Sequence, residues 1–227
     1  FKNRTGMWLD HLGLMEKRSA GKFIPDFIFQ LTKEKISLFL NILFTCDGSV
    51  IDSGVEYSSA SEKLIRQIQH LLLRYNIISK VRSKTVKKRD YWILSIRDRD
   101  NALKFINEIG FSFHKGEKAE KVKQQLEKKT RSNSFLDTIP PEVMVKIENE
   151  LDNIIGRDRE YFSSARKHNK NISRNFLHKI KQYHPKAKKY AEDQILWDVI
   201  ESIEDIGYVQ TYDLSVPDHH NFIAGDI

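Results

Sequence analysis

The stretch Leu40-Asn41-Ile42-Leu43-Phe44-Thr45-Cys46-Asp47-Gly48 constrains this chain more than any other. Apolar residues at 36, 39, 40, 43 and 44 follow a helical period and predict a helix over Lys33–Cys46. Thr32 can cap its start, but Lys35 rather than an acid stands three residues on, so there is no capping box. Asp47-Gly48 ends the helix, and Ser49–Tyr57 reads as an extended segment that begins at once. Gly48 suits a left-handed or close-approach backbone at that point. The arrangement places a carboxylate at the negative pole of the helix dipole. A divalent cation would relieve that penalty, because Mg2+ takes hard oxygen ligands. The plain alternative is an Asp-Gly turn with no ligand.

The surrounding pattern alternates amphipathic helices with short strands. Ser58–Tyr75 predicts a helix with Leu64, Ile65, Ile68, Leu71 and Leu72 on one side. Strands are expected at Ile77–Ser83 and Tyr91–Ile96, joined by Thr85-Val86-Lys87-Lys88-Arg89-Asp90, and a short helix at Asp100–Ile109. From Glu117 the chain turns basic and helical. A charged helix follows Glu117, and another runs from Ile139-Pro140-Pro141 to Leu151. In the segment from Asn171 to Tyr190, Ser173 can cap a helix with Phe176, Leu177 and Ile180 at core spacing. Its opposite face carries Arg174, Lys179 and Lys181, as a small recognition helix or a plain basic surface helix would. Residues 191–227 read as strand-rich, with Pro217-Asp218 marking a turn.

The 227 residues suffice for one large domain or two small ones, and 40% hydrophobic residues can fill a core. Lysine and arginine number 38 against 31 acids, a net charge of +7 that fits a nucleic-acid partner and many ordinary basic proteins alike. Cys46 is the lone cysteine, which excludes an internal disulfide and a cysteine-rich zinc site and points to a reducing, cytoplasmic setting. No apolar run is long enough for a membrane span. The start, FKNRTGMWLD, lacks a signal-peptide pattern and an initiator Met, so a piece of a longer product is expected.

Four blocks in order resemble an intein carrying a LAGLIDADG homing endonuclease of the DOD type. Lys22-Phe23-Ile24-Pro25 is similar to the Lys-x-Ile-Pro block that precedes the endonuclease motif. Leu40, Leu43, Asp47 and Gly48 match the second LAGLIDADG motif, Phe44 is a conservative variant, and Asn41, Ile42 and Thr45 depart from it. Ile42 stands where the family has a small residue that lets two motif helices pack closely; a branched side chain there widens the gap or needs a small partner. Tyr57-Ser58-x-Ala60-Ser61 with the long helix and Arg74–Val81 follows the family's strand–helix–strand order. Tyr212–Pro217 and His220-Asn221-Phe222 match the intein's penultimate block, and Leu196–Gly207 looks like inteins of replicative DNA helicases.

The resemblance implies an α+β fold: the second half of a LAGLIDADG endonuclease over residues 1–116, with helices over a curved antiparallel sheet, then a basic helical DNA-binding segment over 117–190. Truncated C-terminal strands of a Hint (intein) domain would follow over 191–227. It implies Mg2+ (or Mn2+) as cofactor, Asp47 and Gly48 as metal positions, and Lys22 as the lysine that polarises water or stabilises phosphate charge. Arg82, Lys84, Lys87, Lys88 and Arg89, with Arg174 and Lys179, would contact double-stranded DNA. Asp213 and His220 would move protons in protein splicing, though both can equally be structural. The first motif helix and the N-terminal splicing block are absent, so cleavage is expected only with a partner half. That half would be the upstream portion of the same intein rather than a second copy. A catalytically decayed DNA-binding module of the same fold is the alternative.

Overall fold

The structure is a computed structural model that describes residues 3–15, 17–129, 137–151, 154–181, 185–192, 195–198, 200 and 202–210. A short helix, α1 (Arg4–His11), is capped by the Asn3 side chain and buries no residue. Two 3-10 turns, Ser19–Gly21 and Asp26–Gln30, lead into α2 (Lys33–Asp47), which buries Ile36, Leu40 and Phe44. Thr32 takes the cap position of α2 without its side chain accepting from a helix N–H.

The expected single extended segment after α2 is a hairpin, β1 (Gly48–Ile51) and β2 (Gly54–Ser59). Gly54 permits it: its φ is +146°, and a Cβ there would stand 2.0 Å from the Ile96 carbonyl oxygen. Because Ser58 and Ser59 belong to β2, the next helix starts later than its periodicity predicts. It is α3 (Glu62–Leu73), capped by the Ser61 hydroxyl accepting from the Leu64 N–H. Strands β3 (Lys80–Val86) and β4 (Arg89–Ile96) complete an antiparallel sheet of four strands in the order β1-β2-β4-β3. Lys87 and Lys88 form the connecting turn, both at positive φ, the mirror-image turn that matches strand twist. Then come α4 (Arg99–Glu108), capped by Asp98, and α5 (Phe113–Glu127).

The first core joins one face of the sheet to these helices through Val55, Tyr57, Leu94 and Ile96 against Leu40, Phe44, Leu71 and Phe105. It runs past the boundary expected at 116. Ala119, Val122 and Leu126 form a stripe on α5 that enters the same core, because the charges of this helix occupy only its other sides.

A second core gathers β5 (Thr138–Ile139), α6 (Pro141–Leu151), α7 (Arg157–Lys167), β6 (Ile172–Ser173), α8 (Arg174–Ile180) and α9 (Pro185–Glu192). It is built on Ile139, Ile147, Ile172, Leu177 and Ala187. Strands β5 and β6 pair, and Ser173 caps α8 by accepting from the Phe176 N–H. Beyond α9, the described residues 195–198, 200 and 202–210 form no strand, in contrast to the strand-rich expectation. They have no described strand beside them to complete a ladder, and Ile200, Ile203 and Ile206 stay exposed. Residues 211–227, with Asp213 and His220, lie outside the described residues.

Candidate functional site

Asp47 is the last residue of α2, and the Lys22 ammonium stands 3.8 Å from its carboxylate. Both side chains are about half exposed, so their attraction alone is weak. Backbone contacts to α3 place Lys22. The Ser61 hydroxyl that caps α3 also donates to the Lys22 carbonyl at 2.6 Å. Two residues on, Gln67 clamps the buried Ile24 backbone, accepting from its N–H at 2.7 Å and donating to its carbonyl at 3.0 Å. Opposite, on β2, lies buried Tyr57. Burial first, then the Asp47 charge and a hydrogen bond to Asp47, push its phenol far above its ordinary value, so it stays a neutral partner of the carboxylate.

Gly48 has φ −79°, so its role is close approach and not the left-handed turn. A Cβ there would meet the Phe44 carbonyl at 2.7 Å and its ring at 2.8 Å. The Gly48 carbonyl accepts from the Lys115 ammonium at 2.7 Å, and the same ammonium donates to the Cys46 carbonyl at 3.2 Å. Lys115 thus joins the site from α5, unannounced by the motif. A second polar set fixes its approach. Ser37, Asn41 and Thr45 repeat every four residues along α2 and therefore share a face. The Ser37 hydroxyl donates to the Glu108 carbonyl (2.6 Å), and the Asn41 amide donates to the Ile109 carbonyl (2.9 Å). The Ser112 hydroxyl donates to the Asn41 carbonyl oxygen (2.7 Å), and the Ser112 N–H donates to the Thr45 hydroxyl (2.9 Å). Two of the departures from the motif, Asn41 and Thr45, thereby acquire a purpose. Their four-residue spacing is a sequence signal for a polar face on α2, but it does not reveal Lys115.

The open face of the sheet carries charge. Strand alternation puts Lys80, Arg82 and Lys84 of β3 on it, opposite Ser95, Ile93 and Tyr91 of β4, with Arg89 at its end. Lys87 and Lys88 sit at the hairpin tip. Glu56 of β2 ties Arg97 at 2.7 Å and Arg82 at 3.4 Å. Arg97 escapes the sequence reading because the expected strand stops at Ile96, although Arg97 continues the alternation of β4.

Arg174 requires a correction. Its place on an open basic face is overturned: only 7% of it is exposed. It pairs with Asp137 at 2.8 Å and donates to the Tyr190 and Ile195 carbonyls. A helix of seven residues covered by α9 leaves little open face, and a buried guanidinium must find partners. Lys179 is exposed and pairs with Asp158 at 2.6 Å. The structure therefore brings Asp47, Lys22 and Gly48 together, sets Arg82, Lys84, Lys87, Lys88 and Arg89 on one hairpin, and leaves Arg174 and Lys179 in the second unit. Among the described residues no group of three or more His, Cys, Asp or Glu could hold a metal ion, and no helix is long and apolar enough to cross a membrane. The donors at the end of α2, one carboxylate flanked by backbone carbonyls that already attract ammonium groups, suit half of a divalent-cation site.

An apolar helix ending in an acid, a hairpin, a long helix and a second hairpin define a known class of domain. Residues 34–110 match the family described as the LAGLIDADG-like domain, and that domain is present in this chain. Members of the family are site-specific endonucleases, which bind DNA and generally use divalent metals. The whole chain is 30% identical, over 247 residues, to 28% of the replicative DNA helicase DnaB of Synechocystis sp.. It is also 26% identical, over 85% of its length, to 11% of a replication factor C small subunit of Methanocaldococcus jannaschii. Over 91% of its length it is 28% identical to 19% of that organism's glutamine–fructose-6-phosphate aminotransferase. The chain thus spans under a third of each of these relatives. The domain and the helicase relative agree with the resemblance to an intein-embedded homing endonuclease.

Proposed function

We propose that this chain supplies one half of a Mg2+- (or Mn2+-) dependent homing endonuclease embedded in an intein, cutting both strands of DNA at a specific site. The observation that carries the reading is the Lys22–Asp47 pair at the end of α2, on a domain whose open sheet face is basic. The intein context is supported by relatives of unrelated description, each matched over a minor share of its length, as an inserted element would be.

Asp47 and the Gly48 carbonyl are the donors that would hold a divalent ion, whose chemistry there is Lewis-acid stabilisation of the attacking and leaving oxygens of a phosphodiester. Lys22 stabilises negative charge on the phosphate or polarises the attacking water. Arg82, Lys84, Lys87, Lys88 and Arg89 bind the DNA backbone and set the register. Lys179 belongs to a further basic segment that extends this contact. One carboxylate serves one half of a paired site. Leu38 and Ile42, 65% and 46% exposed on α2, form the apolar stripe for a second Asp-terminated helix from the upstream half of the same intein. Asp213 and His220 would serve the splicing reaction at the C-terminal block.

The test joins the chain to its upstream half and offers a duplex spanning the uninterrupted insertion site, with Mg2+. Cleavage at one site, lost in Asp47→Asn and reduced in Lys22→Ala, is expected. Cleavage unchanged in Asp47→Asn overturns the reading. Salt-sensitive binding without any cleavage favours the alternative, a catalytically decayed DNA-binding module.

A further inference from the structure

We infer that Lys115 is the resident cation of this half-site: it holds the backbone that presents Asp47, and it competes with a divalent ion for the Gly48 carbonyl. The inference rests on the reading of Asp47 as a metal ligand. Helix α2 carries no basic residue in its last turn, yet it ends in an acid. The last carbonyls of a helix lack internal partners and carry the negative pole of its dipole. Lys115 answers both needs from 67 residues away, donating to Gly48 at 2.7 Å and to Cys46 at 3.2 Å, the carbonyls on either side of Asp47. Lysine has three donors and no acceptor, so it can bridge two oxygens as a metal ion would.

The chain accepts strain to deliver it. Phe113, the first residue of α5, has φ +55°, a region costly for a residue with a bulky side chain, and it is 81% exposed. No burial of that ring compensates. The bonds from Ser37, Asn41 and Thr45 to residues 108–112 are what fix this turn, which ends two residues before Lys115. A polar ladder that over-determines a strained turn beside a site is the pattern of a positioned functional group. The electrostatic consequence has a definite sign. One ammonium, Lys22, stands 3.8 Å from the Asp47 carboxylate, and a second, Lys115, binds the carbonyls on either side of that residue. Excess positive charge holds the half-site in order and lowers its affinity for a divalent ion. Metal binding through Gly48 then requires Lys115 to let go.

The test is a Mg2+ titration of the whole chain at low ionic strength, followed by the amide NMR signals of Asp47, Gly48 and Ser49. Lys115→Met and Lys115→Gln should tighten Mg2+ binding roughly thirtyfold, the scale of a unit charge about 4 Å from a divalent ion in water. Lys115→Arg should stay near wild type. Affinity that is unchanged or weaker in both neutral variants, with the spectrum otherwise native, overturns the inference. Asp47→Asn separates the two claims: if it leaves the Mg2+ response intact, the metal-ligand reading itself fails. Should the neutral variants unfold, the wild-type Lys115 side-chain nitrogen signal decides. Displacement by Mg2+ supports release from Gly48, and an unmoved signal overturns it.

Discussion

Two cationic clamps, one in each core, show what a buried basic side chain and a more open one are for. Arg174 in the second unit and Lys115 in the first both donate to two backbone carbonyls. Arg174 also has a carboxylate partner, Asp137, and almost no contact with water. Its fork closes α8 onto the chain before β5 and onto the segment after α9, so its charge is consumed by the fold. Lys115 is held by carbonyls, which carry no net charge, so its field still acts on Asp47 and on anything that approaches it. A basic residue serves function where the structure leaves its field uncancelled.

That contrast is most directly broken at Arg174. Arg174→Met leaves Asp137 charged and two carbonyls without their donor. Removing one partner of a buried pair costs about 3–5 kcal/mol. The second unit should unfold at markedly lower temperature or urea, seen as loss of helical circular dichroism, while the Tyr57 and Trp92 signals of the first core persist. A melting curve unchanged by the substitution would mean that the fork is not what closes this core. Asn41→Leu comes next, at about 1–3 kcal/mol for polar groups left unpaired. Unlike Arg174→Met, it should also disturb the site and broaden the Gly48 amide signal, because both Asn41 bonds to the Lys115 turn disappear. If stability falls while Gly48 keeps its signal, the ladder serves packing and not the site.

Binding offers a comparison of the same two regions. Changing Lys84, Lys87 and Lys88 together to Gln should flatten the salt dependence of duplex affinity. The slope of log K against log salt falls by about 0.9 for each phosphate no longer neutralised. Lys179→Gln, already paired with Asp158, should change it less. Equal slopes for wild type and the triple variant would move the DNA interface away from this hairpin.

How much of this is legible in the sequence depends on whether neighbours in sequence are neighbours in space. Asp47 and Lys22 are readable because each sits in a local block, and α3 is readable because its apolar stripe is strong. The start of α3 is misplaced by periodicity since Ser58 and Ser59 fit a strand as well as a helix, and only pairing with β4 decides for the strand. The β1–β2 hairpin reads as one segment because its turn rests on Gly54 meeting the Ile96 carbonyl, a long-range contact that periodicity does not record. Lys115 stays hidden because its partners are carbonyls, which no residue pattern displays. Arg174 misleads for the converse reason. Helical spacing gives a face, but it does not say what covers that face.

The smallest effect distinguishes the two units by acid. His178, on α8, has its pKa lowered from the ordinary 6.5, by burial first and then by Lys181 and Arg174, with Glu192 and Asp137 acting against them. A depressed folded-state value means that the unfolded chain binds the proton more readily. The stability contributed by neutral His178 is therefore fully present above about pH 6.5 and is lost as pH falls through its folded-state value. The His178 residue as a whole is exposed, so solvent screens these charges and the loss is small. Urea melts of the second unit between about pH 7.5 and pH 5 should show a downward slope that His178→Gln flattens. The first core, followed by Trp92, should not share that change. A slope that persists in His178→Gln would assign the acid sensitivity to another group.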